Sequence, residues 1–352
     1  MFVYLGMFAY VAIGAVISSF RNLNLRSGVL WLTSIALIIL IGFRWEVGAD
    51  WNSYRMILHY SRISDAANVS LRSEPGYALL NWIAANQGWG IWFPNLICAI
   101  IFTYGLMVFC RQQPNPWLAL VVAVPYLVIG VGMGFTRQSA AVGLIMLAMV
   151  ELTRGNRTRV FVNIGLATLF HTSAIVLAPV FALTTAKRGL VSAIILSIFG
   201  IGLYFAFSER IGMRLTEYQT FRYIAGGAIP RILMNLVAAV IFLLGRHKFT
   251  ISHVEIRLWT LLSLVTFLML PLLYYVNSTT IVDRLGIFLV PLQIFVLARM
   301  PLVFGRRGRQ NMTLLSAIIL YSLAAELVWL NLGNEARSWL PYRNLLWEEL
   351  FV

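Results

Sequence analysis

The sequence predicts an all-α, polytopic membrane helix bundle, and three observations predict it. Hydrophobic residues fill 60% of 352 positions against 11% for charged residues, and the apolar residues recur in long runs from end to end. Many of those runs approach or reach the roughly 20 residues needed to cross a bilayer, with about 17 to 25 tolerated. None shows the alternation of a transmembrane β-barrel, and only helices or closed barrels satisfy every backbone polar group within hydrocarbon. The chain therefore reads as a single integral membrane domain over residues 1–352.

Ten full spans are expected, at residues 2–20, 28–43, 91–109, 117–135, 138–152, 190–207, 232–245, 258–276, 285–298 and 313–331. Two partial elements join them. Residues 75–87 are too short to cross. Residues 160–183 carry His171 near the middle and Pro179 toward the end, so they form either one kinked span or two half-helices turning back. The opening run lacks a basic start and continues as a full span, so no cleavable signal peptide is expected. Cys98 and Cys110 lie along one predicted helix, far beyond disulfide reach.

Basic residues in short loops set the orientation. Alternate loops hold Arg21 and Arg26; Arg111; Arg154, Arg157 and Arg159; Lys187 and Arg188; Arg246, Lys248 and Arg257; and Arg299, Arg306, Arg307 and Arg309. They contain fifteen of the 27 basic residues, including both lysines, and mark the cytoplasmic face. The pattern requires residues 160–183 to enter and return, which leaves both termini outside. The net charge of +14 is dispersed among these loops, so no nucleic-acid partner is expected.

The opposite face holds 12 arginines, no lysine and ten of the 13 acidic residues. In one reading the arginines pair with Glu46, Asp50, Asp65, Glu74, Glu209, Glu217 and Asp283 and knit the external loops. In the other they bind an anion. A guanidinium fork grips phosphate bidentately where an ammonium is a point charge, so lysine-free, arginine-rich loops suggest phosphate or pyrophosphate. Two external segments are large enough to hold a site, residues 44–90 and 208–231. In the second, Arg210 and Arg214 share a helical face, with Tyr218, Phe221 and Tyr223 nearby and a Gly226–Gly227 hinge. That segment is either an interfacial lid over a lipid-linked substrate or an anchor for the bundle.

Candidate site residues follow from these loops. Arg44, Gly48, Asp50 and Tyr54 lie in RWEVGADWNSY at the end of the second span, where Gly48 permits a turn. Glu74 precedes Pro75, Gly76 and Tyr77; an acid before a first-turn proline is a good helix start, so Glu74 is either a cap or a functional acid. Arg137 sits in a tight external turn with no acid near it in sequence. His171 lies deep in an apolar run, where an ionisable group either faces a cavity or donates one hydrogen bond to a neighbouring helix. Asp283 and Arg284 are adjacent, which favours separate partners. Glu326, within the last span, is expected to be a structural hydrogen-bond partner. No HExxH, CxxC pair or Walker loop occurs, which removes zinc-peptidase and nucleotide-hydrolase readings.

These motifs resemble a known family. RWEVGADWNSY, EPGY, FTRQSAA, LFHTSAIVL, the Asp283–Arg284 pair and a late LPYRN at 340–344 stand in the order seen in the EpsG-like branch of the Wzy polysaccharide polymerases, over nearly the whole chain. The resemblance implies a bacterial inner-membrane enzyme of O-antigen, capsule, lipopolysaccharide or exopolysaccharide biosynthesis, with a GT-C-like fold. Its donor and acceptor would be glycans linked to undecaprenyl pyrophosphate, joined on the periplasmic face, with a chain-length co-polymerase as a further partner besides the lipid bilayer. The implied chemistry is an inverting glycosyl transfer without cofactor or metal. Arg137 and Arg284, then Arg44 and Arg214, are the candidates for pyrophosphate binding. His171, Asp283 and Asp50 compete for general base. Glu74, Tyr77, Trp51 and Tyr54 are candidates for sugar and acceptor binding; Trp51, Tyr54 and Trp89 fit stacking platforms or an interfacial aromatic belt equally. Asp50 with Glu74 offers a divalent-cation site as an alternative. A lipid-linked oligosaccharide flippase and a membrane O-acyltransferase remain the rival functions.

Overall fold

The computed structural model describes residues 1–21, 27–63, 73–185, 227–275, 279–306, 309–333 and 335–348, and among them the regular structure is helical. The chain opens with α1 (Phe2–Arg21), α2 (Ser27–Gly42), α3 (Trp51–Ile63), α4 (Pro75–Asn86) and α5 (Trp92–Cys110). It continues as α6 (Pro116–Ala123), which passes into a π-helix at Val124–Gly132, then α7 (Thr136–Thr153) and α8 (Arg157–Phe170). After a 3₁₀ turn at Thr172–Leu177 come α9 (Ala178–Thr185), α10 (Ala228–Gly245), α11 (His253–Tyr275), α12 (Thr279–Ile287), α13 (Val290–Val303) and α14 (Met312–Leu332). A 3₁₀ turn at Ala336–Trp339 and the short α15 (Leu345–Glu348) close the described chain.

Among the described residues five helices are long and apolar enough to cross a membrane: α1, α5, α10, α11 and α14. A sixth crossing is counted if α12 and α13, bent by 48°, form one span. That is fewer than the ten expected from sequence. The runs at 28–42 and 116–132 are apolar but short, the second passing from α6 into a π-helix along its length. The helix at 136–153 carries Arg137 and Glu151, and the run at 190–207 lies outside the described residues.

Residues 160–183 are broken rather than merely kinked. The break falls at His171, whose extended backbone (φ −151°, ψ 113°) ends α8. Pro179 falls in the first turn of α9, where a missing N–H costs nothing. Glu326 also departs from expectation. It is fully buried, and neither carboxylate oxygen has a hydrogen-bond partner among the described residues.

Two features place the site. α5 and α7 cross where Gly105 meets Gly143; a Cβ on Gly105 would collide with the Gly143 carbonyl, so only glycine permits this approach. α7 and α8 are joined by a tight turn. Asn156 caps α8 by accepting from the Arg159 N–H at 3.2 Å, and Glu151 pairs with Arg154 at 2.7 Å. α8 then runs back alongside α7 for 14 residues, about 21 Å at 1.5 Å per residue, which returns His171 to the level where α7 began.

The late LPYRN stretch is a strap. The Trp339 indole donates to Ile129 O at 2.9 Å, and Trp339 O accepts from the Tyr4 hydroxyl at 2.8 Å. The Tyr342 hydroxyl donates to Leu40 O at 2.8 Å, and the Asn344 amide to Ile39 O at 3.2 Å. Backbone bonds then hold the loop after α2: Trp45 N to Arg343 O at 3.0 Å and Gly48 N to Ser338 O at 2.8 Å. Gly48 has φ +105°, and a Cβ there would lie 2.5 Å from Met133 O. Trp339 is 2% exposed, so Trp339→Ala is expected to destabilise the protein by about 3–5 kcal/mol. Reversible unfolding in detergent measures this; a loss below about 1 kcal/mol would mean that the strap is incidental.

Candidate functional site

Three acid–arginine pairs line the ends of α3, α4, α7, α10 and α12 on the face that sequence reading puts outside. In the first, Glu74 opens α4 with Pro75 at its first position, yet its side chain makes no cap bond. It turns instead to α7, where Arg137 Nη1 donates to Glu74 Oε2 at 2.5 Å. The acid absent near Arg137 in sequence thus arrives from 63 residues earlier. The Arg137 guanidinium lies 5.7 Å from the Tyr54 ring centre and 6.0 Å from that of Tyr77, and the two rings meet edge-on at 5.5 Å. On its other side Glu74 Oε1 stands 3.6 Å from His171 Nδ1. That is ion-pair range but too long for a hydrogen bond, and among the described residues neither ring nitrogen of His171 has a hydrogen-bond partner. The imidazole stacks on Phe288 at 6.3 Å.

In the second pair, Arg284 Nη2 lies 3.4 Å from Asp50 Oδ2, with the guanidinium 5.2 Å from the Phe135 ring centre. Gln138, next to Arg137, donates to the Arg284 carbonyl at 2.5 Å and stitches α12 to the start of α7. The third pair joins Asp283 to Arg231 of α10 at 3.1 Å. Arg231 also donates to Gly227 O at 2.7 Å and to the Tyr126 hydroxyl at 3.3 Å. Asp283 and Arg284 thus have separate partners, as their adjacency on a helix predicts.

The predicted site residues divide accordingly. Arg137, Glu74, Tyr77, Tyr54 and His171 form one cluster. Arg284 and Asp50 lie beside it, since Tyr54 and His171 both fall within electrostatic reach of Arg137 and Arg284. Arg137 and Arg284 keep 16% and 21% of their side chains exposed. Arg44 is different: 1% exposed, it donates to Ile41 O at 2.7 Å, to Val47 O at 3.3 Å and to Thr136 Oγ1 at 2.5 Å. It closes the C-terminal end of α2, where an arginine complements the last carbonyls, and burial lowers its pKa. Trp51 is buried edge-on against Trp45, and the Tyr54 ring is shared by Arg137 and Tyr77, so neither offers an open sugar-stacking face. Burial, then Asp50, push the Tyr54 phenol up to about 12, which keeps it a neutral donor. Trp89 is 39% exposed but clusters with Trp92 and Phe93, the pattern of an interfacial belt. Asp283 is 5% exposed and engaged by Arg231. Arg214 lies outside the described residues.

Asp50 and Glu74, offered from sequence as a divalent-cation pair, each face an arginine. Such a carboxylate already has its charge compensated, and among the described residues no group of three potential metal ligands occurs. Sequence reading missed the Arg231–Tyr126 contact, because the π-helix that turns Tyr126 toward α10 has no sequence signature of its own. The strap role of LPYRN was also missed, although paired aromatics around a turn signal packing.

No curated protein and no solved structure matches the chain. A family model described as the EpsG family matches residues 29–344, from the start of α2 to the last residue of the strap motif. Every clustered residue above falls inside that range, and the chain belongs to the EpsG family.

Proposed function

We propose that this protein is a polysaccharide polymerase that joins oligosaccharide repeat units carried on undecaprenyl pyrophosphate, by glycosyl transfer at the cluster around Arg137. Membership of the EpsG family supports a polymerase of glycosyltransferase type. The observation that carries the finer reading is the meeting of His171, Glu74 and Arg137, from three separate elements, beside the partly open Arg284.

In the proposed step a hydroxyl oxygen of the acceptor repeat attacks the anomeric carbon of the growing chain. The bond from that carbon to the pyrophosphate oxygen breaks, and the lipid diphosphate leaves with the electron pair. Arg137 and Arg284 take up the charge on the leaving group, exchanging part of their contact with Glu74 and Asp50 for diphosphate oxygens. His171 accepts the hydroxyl proton at one ring nitrogen. Glu74, at 3.6 Å in the resting site, closes on Nδ1–H and stabilises the imidazolium; such contacts commonly tighten only when substrate is bound. A single displacement inverts the anomeric centre. The residues supply this chemistry without a metal.

The same reading places the protein in the bacterial inner membrane with ten spans. In this reading the helices at 28–42, 116–132 and 136–153 and the run at 190–207 also cross, residues 160–183 enter and return, and the cluster faces the periplasm. A chain-length co-polymerase is the expected partner. Of the rivals, an acyltransferase working from the cytoplasm is disfavoured because His171 lies at the Arg137 level, not at the loop of Arg154. A flippase is disfavoured because the three acid–arginine pairs of the site gather at one end of the bundle and, among the described residues, do not continue through it. Deleting the gene should leave single lipid-linked repeats accumulating outside the membrane, seen by mass spectrometry of extracted lipids. Repeats trapped inside would indicate a flippase, and unchanged chain length would indicate neither.

A further inference from the structure

At the end of the bundle away from the cluster, α2 and α5 part over an apolar groove. The hydrogen bond from Thr136 to Asn95 at 3.3 Å fixes the start of α5 at the level of the site, so the far end of α5, at Arg111, belongs to the opposite face. The floor of the groove is Leu30, Ser34 and Met107, all buried. Trp31 and Tyr104, each 51% exposed, stand along its sides, with Ile100, 41% exposed, at the inner end. Each wall is one helical stripe: Leu30, Ser34 and Ile38 on α2; Ile100, Tyr104, Val108 and Arg111 along α5. Residues four apart stack on one face, so the groove runs along the helices and not across them. The Ser34 hydroxyl is already donated to Leu30 O at 3.0 Å, so the floor presents hydrocarbon.

Arg111 caps this channel. Its guanidinium sits 5.9 Å from the Trp31 ring centre, and the ion pairs of the described residues do not include it. From Ile100 to Arg111 the groove spans about 16 Å at 1.5 Å per residue, comparable to the reach of one acyl chain within a leaflet some 15 Å deep. α5 is among the helices long and apolar enough to span, so the groove opens toward lipid. A chain-length apolar slot ending in one arginine and a tryptophan at the interface complements a lipid with a net negative headgroup; a zwitterionic lipid would bring its own cation to Arg111.

We propose that the groove between α2 and α5 holds one acyl chain of an anionic phospholipid, in the leaflet opposite the Arg137 cluster, with its phosphate against Arg111. This lipid is distinct from the glycan carrier, whose diphosphate belongs at the other end of the bundle. The proposal does not depend on the polymerase reading.

The test uses the purified full chain in phosphatidylcholine vesicles containing a minor fraction of phosphatidylglycerol or phosphatidylcholine with brominated chains, which quench nearby tryptophan. The Trp31 signal is the emission lost in Trp31→Phe, which isolates it from the rest of the 11 tryptophans. Brominated phosphatidylglycerol should be preferred by about fivefold over brominated phosphatidylcholine at Trp31, the increment expected for one arginine near a membrane surface. Arg111→Gln should abolish that preference without changing quenching by phosphatidylcholine, and Arg111→Lys should retain most of it. Equal quenching by the two lipids in the unaltered protein, or a preference that survives Arg111→Gln, would overturn the assignment and leave ordinary boundary lipid.

Discussion

Arg137→Lys is expected to cut polymer formation by about 100- to 1,000-fold with the protein still present at normal level, the loss typical of removing one donor to a developing oxyanion. Lysine is the informative replacement. It keeps the positive charge and leaves Glu74 compensated, whereas alanine would strand a buried carboxylate, costing about 3–5 kcal/mol of stability, and confuse folding with function. What lysine removes is the planar fork and its stacking on Tyr54 and Tyr77, at 5.7 and 6.0 Å. Were the Arg137–Glu74 pair only a tie between α7 and α4, lysine would serve nearly as well. A polysaccharide ladder from cells carrying the variant, normalised to protein level, reads the difference; full-length chains would remove Arg137 from the leaving-group site.

His171→Ala is expected to lower turnover by about 100- to 10,000-fold, the usual range for a lost general base. The sequence left open a structural histidine donating a bond to a neighbouring helix, but among the described residues neither ring nitrogen makes such a bond. His171 is 4% exposed and its imidazole stacks on Phe288 at 6.3 Å, so lost packing has to be told apart from a lost base. Imidazole added to the purified variant should restore part of the turnover, which a packing defect would not allow. Activity at half the normal rate or better would make His171 a structural residue and move the base elsewhere, with Asp50 next because it is 22% exposed.

The helices were legible because hydrophobic run length is a strong signal for spans. α1, α5, α11 and α14 fall close to the runs that announced them. What sequence could not supply was interruption. The break at His171 was left open by the sequence as two half-helices, but the π-helix after Ala123 depends on how neighbouring helices pack and leaves no mark in a run that looks continuous in composition. The break between Ile287 and Val290 belongs to the same class.

The site was legible as an inventory but not as a set of pairs. Arg137, Arg284, Asp50, Glu74 and His171 could all be named from polar residues at span ends. Which acid meets which arginine depends on the Gly105–Gly143 crossing and the α7–α8 turn, contacts between distant parts of the chain. Arg44 is set apart from Arg137 and Arg284 for a physical reason that the sequence does contain. An arginine just past a helix end is well placed to satisfy that helix's own carbonyls, and Arg44 does so at 2.7 Å from Ile41 O. Arg137, Arg284 and Arg231 each meet a carboxylate, as the reading in which external arginines knit the loops expects. A substrate diphosphate must therefore compete with those carboxylates for Arg137 and Arg284.

That competition can be measured without turnover. Undecaprenyl pyrophosphate, titrated onto the purified protein in detergent, should bind more weakly by about tenfold or more to Arg137→Lys and to Arg284→Lys, as expected when a charge-assisted contact is lost. The same affinity in the unaltered protein and both variants would contradict the account, because these arginines would then hold only Glu74 and Asp50.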